Sequence, residues 1–167
     1  MQQSKVFGYV AWHPVYFDAI VPEVRSPYYG HLFVADFMGG SPAFRISEID
    51  TDDDLLAVYA GYEHSQLKRV AIINYDVWEE GDGPRPRRNF TIQGPFGTGV
   101  AKVQTLTSPG GTSANSTFYW AGQTWTYANN GIGKRVPGQQ KSTIVPDLSG
   151  NIQVDVGASE AVIVHIQ

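Results

Sequence analysis

The sequence predicts a mainly β protein, an antiparallel β-sandwich of about eight to nine strands preceded by one α-helix. Three observations lead there. After Gly39-Gly40-Ser41-Pro42 the apolar period becomes two, the spacing of a half-buried strand. Short runs rich in Val, Ile, Tyr and Thr then recur to the end of the chain, separated by Gly, Pro and Asn turns. A single segment, near the front, carries start and stop signals for a helix.

Taken in order, Lys5 to Val15 reads as a short strand running into a loop, and residues 16–26, with Pro22, continue that loop. Ser26 is the expected N-cap, Pro27 the first helical residue and Gly39 the stop. Tyr29, Leu32, Phe33 and Asp36 fall at spacings of three and four. Val34, Phe37 and Met38 are apolar as well, so the helix is greasy over most of its circumference, where a surface helix needs one stripe. It is expected to be covered on several sides. Phe44 to Ile49 alternates. Leu55 to Glu63 and Leu67 to Tyr75 form a strand pair joined by the hairpin-length His64-Ser65-Gln66. Gly81 to Arg88 is a loop. Further strands are expected at Asn89 to Gln93, Val100 to Thr107, Ser116 to Ala121, Gln123 to Tyr127, Gly150 to Val156 and Ala161 to Ile166. The last is nearly continuous in apolar character, as a central strand should be.

The chain has 167 residues, 42% hydrophobic and 17% charged, which fits one ordered domain with a real core and argues against disorder. A net charge of −4 argues against a nucleic-acid partner, because phosphate binding wants a basic face. No apolar run is long enough for a membrane-spanning helix, so no membrane partner is expected. The first residues lack the apolar stretch of a secretory signal. With no Cys there is neither a disulfide framework nor thiol chemistry, which leaves the compartment open. Two sequons, at Asn89 and Asn115, are candidate N-glycosylation sites.

Several segments suggest chemistry. Asp50-Thr51-Asp52-Asp53-Asp54 resembles a calcium loop but lacks the Gly and Glu that an EF-hand requires, and reads as a solvated acidic turn. His13, His31, His64 and His165 have no paired spacing, so no metal site and no cofactor are expected. Gly94 to Gly99 has no helix after it and no Lys-Ser/Thr; it is a connector rather than a phosphate loop. Glu79 and Glu80 are adjacent, and neighbours on a strand point to opposite faces, so they do not converge on one bond as a glycosidase pair must. Arg85, Arg87 and Arg88 stand close to them, which suggests local charge pairing. No catalytic residue is expected in the chain. The aromatic set Tyr119, Trp120, Trp125 and Tyr127 offers faces that could stack on sugar rings. Its plainer reading is that one ring of each alternating pair fills the core while the other meets a neighbouring domain.

Pro27-Tyr28-Tyr29-Gly30, Phe33-Val34-Ala35-Asp36, Gly39-Gly40, Ala71-Ile72-Ile73-Asn74, the pattern Trp120, Gly122, Gln123, Thr124, Tyr127, and the closing Val154-Asp155-Val156, Ser159-Glu160-Ala161 and Val162-Ile163-Val164 occur in that order. Together they resemble the C-terminal end of family 79 glycoside hydrolases, the β-glucuronidase and heparanase-like enzymes, over nearly the whole chain. The resemblance implies that residues 1–40 are a remnant of the last strand, loop and helix of a (β/α)8 barrel, and that residues 41–167 are the C-terminal β-sandwich domain. It implies a retaining hydrolase whose two catalytic glutamates lie on earlier barrel strands, outside any region matched here. It also implies a substrate-binding role for Gly8 and Tyr9, at the place of a Gly-Tyr pair that holds the uronate carboxylate. The expected function is thus a non-catalytic domain supporting a barrel in cis or in trans, extracellular if it belongs to a secreted glycosidase. A stand-alone carbohydrate-binding module and a protein self-associating through helix 27–39 are the alternatives.

Overall fold

A computed structural model describes residues 12–13, 23–97, 99–114, 116–137 and 142–166. Two short strands, β1 (Trp12–His13) and β2 (Glu23–Val24), pair antiparallel ahead of helix α1 (Ser26–Met38). Eleven strands follow among the described residues: β3 (Phe44–Ile49), β4 (Leu56–Glu63), β5 (Gln66–Asn74), β6 (Arg87–Ile92), β7 (Ala101–Thr107), β8 (Tyr119–Trp120), β9 (Gln123–Thr124), β10 (Lys134–Arg135), β11 (Ser142–Ile144), β12 (Ile152–Gly157) and β13 (Glu160–His165).

The large sheet has nine strands in the order β10-β9-β8-β7-β13-β5-β4-β3, with β11 sharing the β7 edge beside β8. All its pairings are antiparallel. Strands β6 and β12 form a separate ribbon, Ile92 opposite Ile152 and Arg87 opposite Gly157. The sheet and the ribbon make an antiparallel β-sandwich with α1 laid on the sheet's other face.

Strand β13 sits at the centre, and its unbroken apolar run serves both faces. Val162 and Val164 join Val70, Ile72, Val103, Ile152, Val154 and Val156 in the core under the ribbon. Ala161 and Ile163 turn the other way, into a second core with Ala71, Phe118, Trp120 and the helix residues Tyr29, Phe33 and Phe37. Period two on a strand buried on both sides leaves no polar position, which is why the alternation disappears there.

The helix begins one residue before the expected start. Arg25, extended at φ −104° and ψ 169°, is the N-cap in place of Ser26, and no side chain caps the first turn. The Tyr28 N–H closes that turn on the Arg25 carbonyl at 3.0 Å. Pro27 lies in the first turn, where its missing N–H costs nothing. Gly39 ends the helix as expected, at φ 61°, with its N–H on the Ala35 carbonyl. Tyr29, Phe33 and Phe37, each four residues apart, point into the sheet. On the opposite side Val34 is 51% and Met38 47% exposed. One face of the greasy helix is covered and the other is bare.

The β4–β5 hairpin turns on His64 and Ser65, both at positive φ as a two-residue turn of this kind requires, with a bulge at Gly61/Tyr62. Residues 94–97 are a connector between β6 and β7. Gly94 passes so close to the 150 turn that a Cβ would meet the Gly150 carbonyl, and its N–H bonds to Asn151 Oδ1 at 3.0 Å.

Candidate functional site

The aromatic segment forms the β8–β9 hairpin, turning on Ala121 (φ 50°) and Gly122 (φ 78°). Its rings part company. Trp120 is 4% exposed and meets Phe33 edge-on, ring centroids 5.5 Å apart. It is a core residue with no face left for a sugar, which corrects its candidacy for stacking. Tyr119 and Trp125 are half-buried and line one groove. Tyr127 opens a short 3-10 turn, Tyr127–Asn129, and its side chain lies outside the described residues.

Trp125 is held from the helix. The Tyr29 hydroxyl accepts the Trp125 N–H at 2.9 Å, donates to the Trp125 carbonyl at 3.0 Å, and shares a third bond with Thr124 Oγ1 at 3.0 Å. Burial pushes the Tyr29 phenol above its ordinary value, outweighing those hydrogen bonds, so it stays protonated and remains a donor. The Tyr29 and Trp125 rings meet edge to face at 5.9 Å. On the far side, Gly133 lies against the indole; a Cβ there would come within 2.8 Å of Trp125 Cζ2. That approach brings β10 alongside, with Lys134 opposite Thr124 and Arg135 opposite Gln123.

The resulting groove has a volume of about 530 Å³. Tyr119, Trp125, Thr124, Thr126, Lys134 and Arg135 give it its chemistry, and Val24 and Tyr29 mark its helix end. No Asp or Glu is among the described residues that line it. Thr117, also in the wall, has φ 64°, a left-handed conformation that β-branched residues rarely adopt. Lys134 and Arg135 escaped the sequence reading because β10 is two exposed polar residues, and only its pairing with β9 brings them to the rings.

The other candidates are dispersed. Asn89 is exposed on β6 and donates to Asp155 Oδ1 at 2.7 Å, while Thr91 donates to Gln153 Oε1 at 2.8 Å. Both sequon residues therefore stand on the outer face of the ribbon. Asn115, Gly8 and Tyr9 lie outside the described residues. Among the described residues no group of three or more His, Cys, Asp or Glu is arranged to hold a metal ion.

The arginines find partners far along the chain rather than in Glu79 and Glu80. Arg88 binds Asp53 and Asp76, tying the acidic turn and the end of β5 to the ribbon. Its guanidinium holds both carboxyls below their ordinary 3.8, chiefly through those hydrogen bonds. Arg85 reaches Glu160 at 2.6 Å beneath the Trp78 ring, and Thr107 and the Gly157 N–H also donate to that carboxylate. Glu79 instead accepts from the backbone and hydroxyl of Ser113.

The fold is an antiparallel sandwich with one helix on the face of its large sheet. Residues 58–163 match the family model described as "Glycosyl hydrolase family 79 C-terminal beta domain", and the chain belongs to that family. It is similar to a β-glucuronidase of Aspergillus niger, 29% identical over 181 aligned residues that cover 99% of this chain and 33% of the relative. A β-glucuronidase of Neurospora crassa is 27% identical over 100 residues, covering 52% of this chain and 18% of its own length. Among solved structures, a 4-O-α-L-rhamnosyl-β-D-glucuronidase from Fusarium oxysporum 12S superposes with a TM-score of 0.70 at 26% identity, covering 86% of this chain and 30% of that one. An arabinofuranosidase shares the fold, with a TM-score of 0.53 at 15% identity. The chain spans a third or less of the length of the curated relatives it matches.

Proposed function

We propose that this chain is a non-catalytic C-terminal β domain that supports a glycoside hydrolase barrel lying outside these residues, with residues 1–40 belonging to the barrel side and residues 41–167 forming the sandwich. The observation that carries the reading is the two-faced helix. Tyr29, Phe33 and Phe37 are sealed against the sheet, while Val34 and Met38 stay about half exposed on the other side. A helix apolar on both faces suits a middle layer, and membership of a C-terminal β domain family supports a barrel wall as what covers the bare face. The sandwich then fixes the last barrel helix in place, and the barrel contributes the carboxylate pair.

The test is hydrolysis of an aryl β-D-glucuronide by the purified 167-residue chain. No turnover above buffer is expected. Turnover that survives repurification would overturn the proposal. A second reading, a free-standing carbohydrate-binding module, is favoured by the Tyr119–Trp125 groove.

A further inference from the structure

We propose that Asn130 is a self-modifying site, whose side-chain amide is lost to attack by the Gly131 backbone nitrogen, leaving aspartate or isoaspartate in the turn that leads into β10. The inference stands on the geometry of that turn and is independent of the barrel reading. Asn130 is the one asparagine of the chain followed by glycine, the neighbour whose backbone nitrogen no side chain shields. Asn130 and Gly131 have φ 51° and 72°, and the Ile132 N–H bonds to the Asn129 carbonyl at 2.9 Å, which makes a tight turn of the kind this pair favours. Around Gly131 the space is open, and a Cβ there would meet nothing within 4 Å. Asn130 is exposed, and its amide makes no hydrogen bond among the described residues. Ile132 is 70% exposed, so little packing holds the turn and local opening costs little. Other side chains capable of the same chemistry are tied down. Asn74 donates to the Val156 carbonyl at 3.3 Å, Asn89 donates to Asp155 at 2.7 Å, and Asn151 accepts the Gly94 N–H at 3.0 Å. Asp82, the one aspartate before a glycine, accepts the Glu79 N–H at 2.9 Å.

The reaction needs only water. As the Gly131 nitrogen gives up its proton, it forms a bond to Asn130 Cγ. The Cγ–Nδ2 bond breaks, and ammonia leaves with a proton returned from solvent. Water then opens the cyclic imide. Cleavage at Cγ restores the normal backbone as aspartate, and cleavage at the main-chain carbonyl gives isoaspartate, with the chain routed through the side chain. Either product adds a negative charge to the turn before Lys134. Isoaspartate also adds a backbone carbon, which the Ile132-to-Asn129 hydrogen bond cannot span unchanged. Gly133, two residues past Gly131, is the residue that lies against the Trp125 indole. Lengthening the turn therefore shifts β10 against β9 and opens the wall of the Trp125 groove.

The experiment ages the purified, folded chain in mildly alkaline buffer and follows it by peptide mass mapping, by an isoaspartyl methyltransferase assay and by Trp fluorescence. The peptide carrying residue 130 is expected to gain the mass difference between a hydroxyl and an amine, with fragmentation placing the change at that residue. The aged chain should become a methyl acceptor, and its Trp emission should shift to the red as Trp125 loses its cover. Asn130→Gln should show no mass change at residue 130 and keep its emission on ageing. Asn130→Asp carries the charge without the extra carbon and should keep the native emission, which separates the backbone effect from the electrostatic one. Circular dichroism checks that both variants fold, and the native chain alone decides whether the modification occurs. An Asn130 amide that stays intact in the folded chain, whether or not the urea-unfolded chain converts, overturns the proposal. So does conversion that appears first at Asn74, Asn89 or Asn151. Aged chain with isoaspartate at residue 130 and unchanged emission would overturn the coupling to Trp125.

Discussion

Removing one oxygen atom from Tyr29 should loosen both the helix and the groove. The residue is 1% exposed, and its hydroxyl makes three contacts, all to Thr124 and Trp125. In Tyr29→Phe the ring can keep its edge contacts with Tyr28, Phe118 and Trp125. The Trp125 N–H and carbonyl lose their partner. An unsatisfied group in a partly buried site costs about 1–3 kcal/mol, more than the net worth of a typical hydrogen bond. For a chain of this size a 2 kcal/mol loss lowers Tm by roughly 4–8 °C. Urea unfolding followed by Trp fluorescence, with a thermal melt alongside, reads both quantities. The m-value should stay constant, since the surface exposed on unfolding is the same. A midpoint within about 0.3 kcal/mol of the native chain would refute the reasoning, because it would mean that water replaces the hydroxyl and that α1 is held by apolar packing alone.

Three further outcomes follow from the same geometry. Glu160→Gln leaves the partly buried Arg85 beside a neutral amide and should cost about 3–5 kcal/mol in urea unfolding, whereas a loss below about 1 kcal/mol would show the pair to be solvated. Asp53 and Asp76 have folded values below 3.8, so their stabilisation is present above that pH and is lost as pH falls through the folded values. Urea midpoints between about pH 6 and pH 2.5 should therefore drop more steeply in the native chain than in Arg88→Leu, and parallel slopes would contradict the pairing. Val34→Asp with Met38→Asp changes only exposed positions, so unfolding stability should move by less than about 0.5 kcal/mol. In light scattering the same double variant should suppress any self-association of the native chain, and association unaffected by the two charges would place the sticky surface elsewhere.

Much of the fold could be read from local patterns, and the failures share one cause. Strands β4 and β5 were legible as a pair joined by a hairpin-length turn, and β13 could be placed at the centre because it has no polar face. The helix was legible from Pro27 and Gly39, but its start was off by one because Arg25, a residue with no capping side chain, takes the N-cap. Strands β10 and β11 have two and three residues and exist only as edge partners of β9 and β7, so nothing in their own sequence announces them. The ribbon pairs Asn89 with Asp155, a contact that no local pattern encodes. The same limit applies to charge. Arg85, Arg87 and Arg88 seemed placed for Glu79 and Glu80, yet they bind Glu160, Asp53 and Asp76, brought in by the sheet. At the site, alternation along Tyr119-Trp120 foretold that one ring would be core, but the groove itself depends on Gly133 and β10.

The central claim is that the bare face of α1 is a seat for a catalytic barrel. The most direct measurement is native mass spectrometry of the chain co-expressed with a family 79 barrel segment, run for the native sequence and for V34D/M38D. The account predicts a one-to-one complex that the double variant loses while remaining folded. A complex that persists with both charges in place, or a native chain that stays monomeric beside a folded barrel, would contradict it.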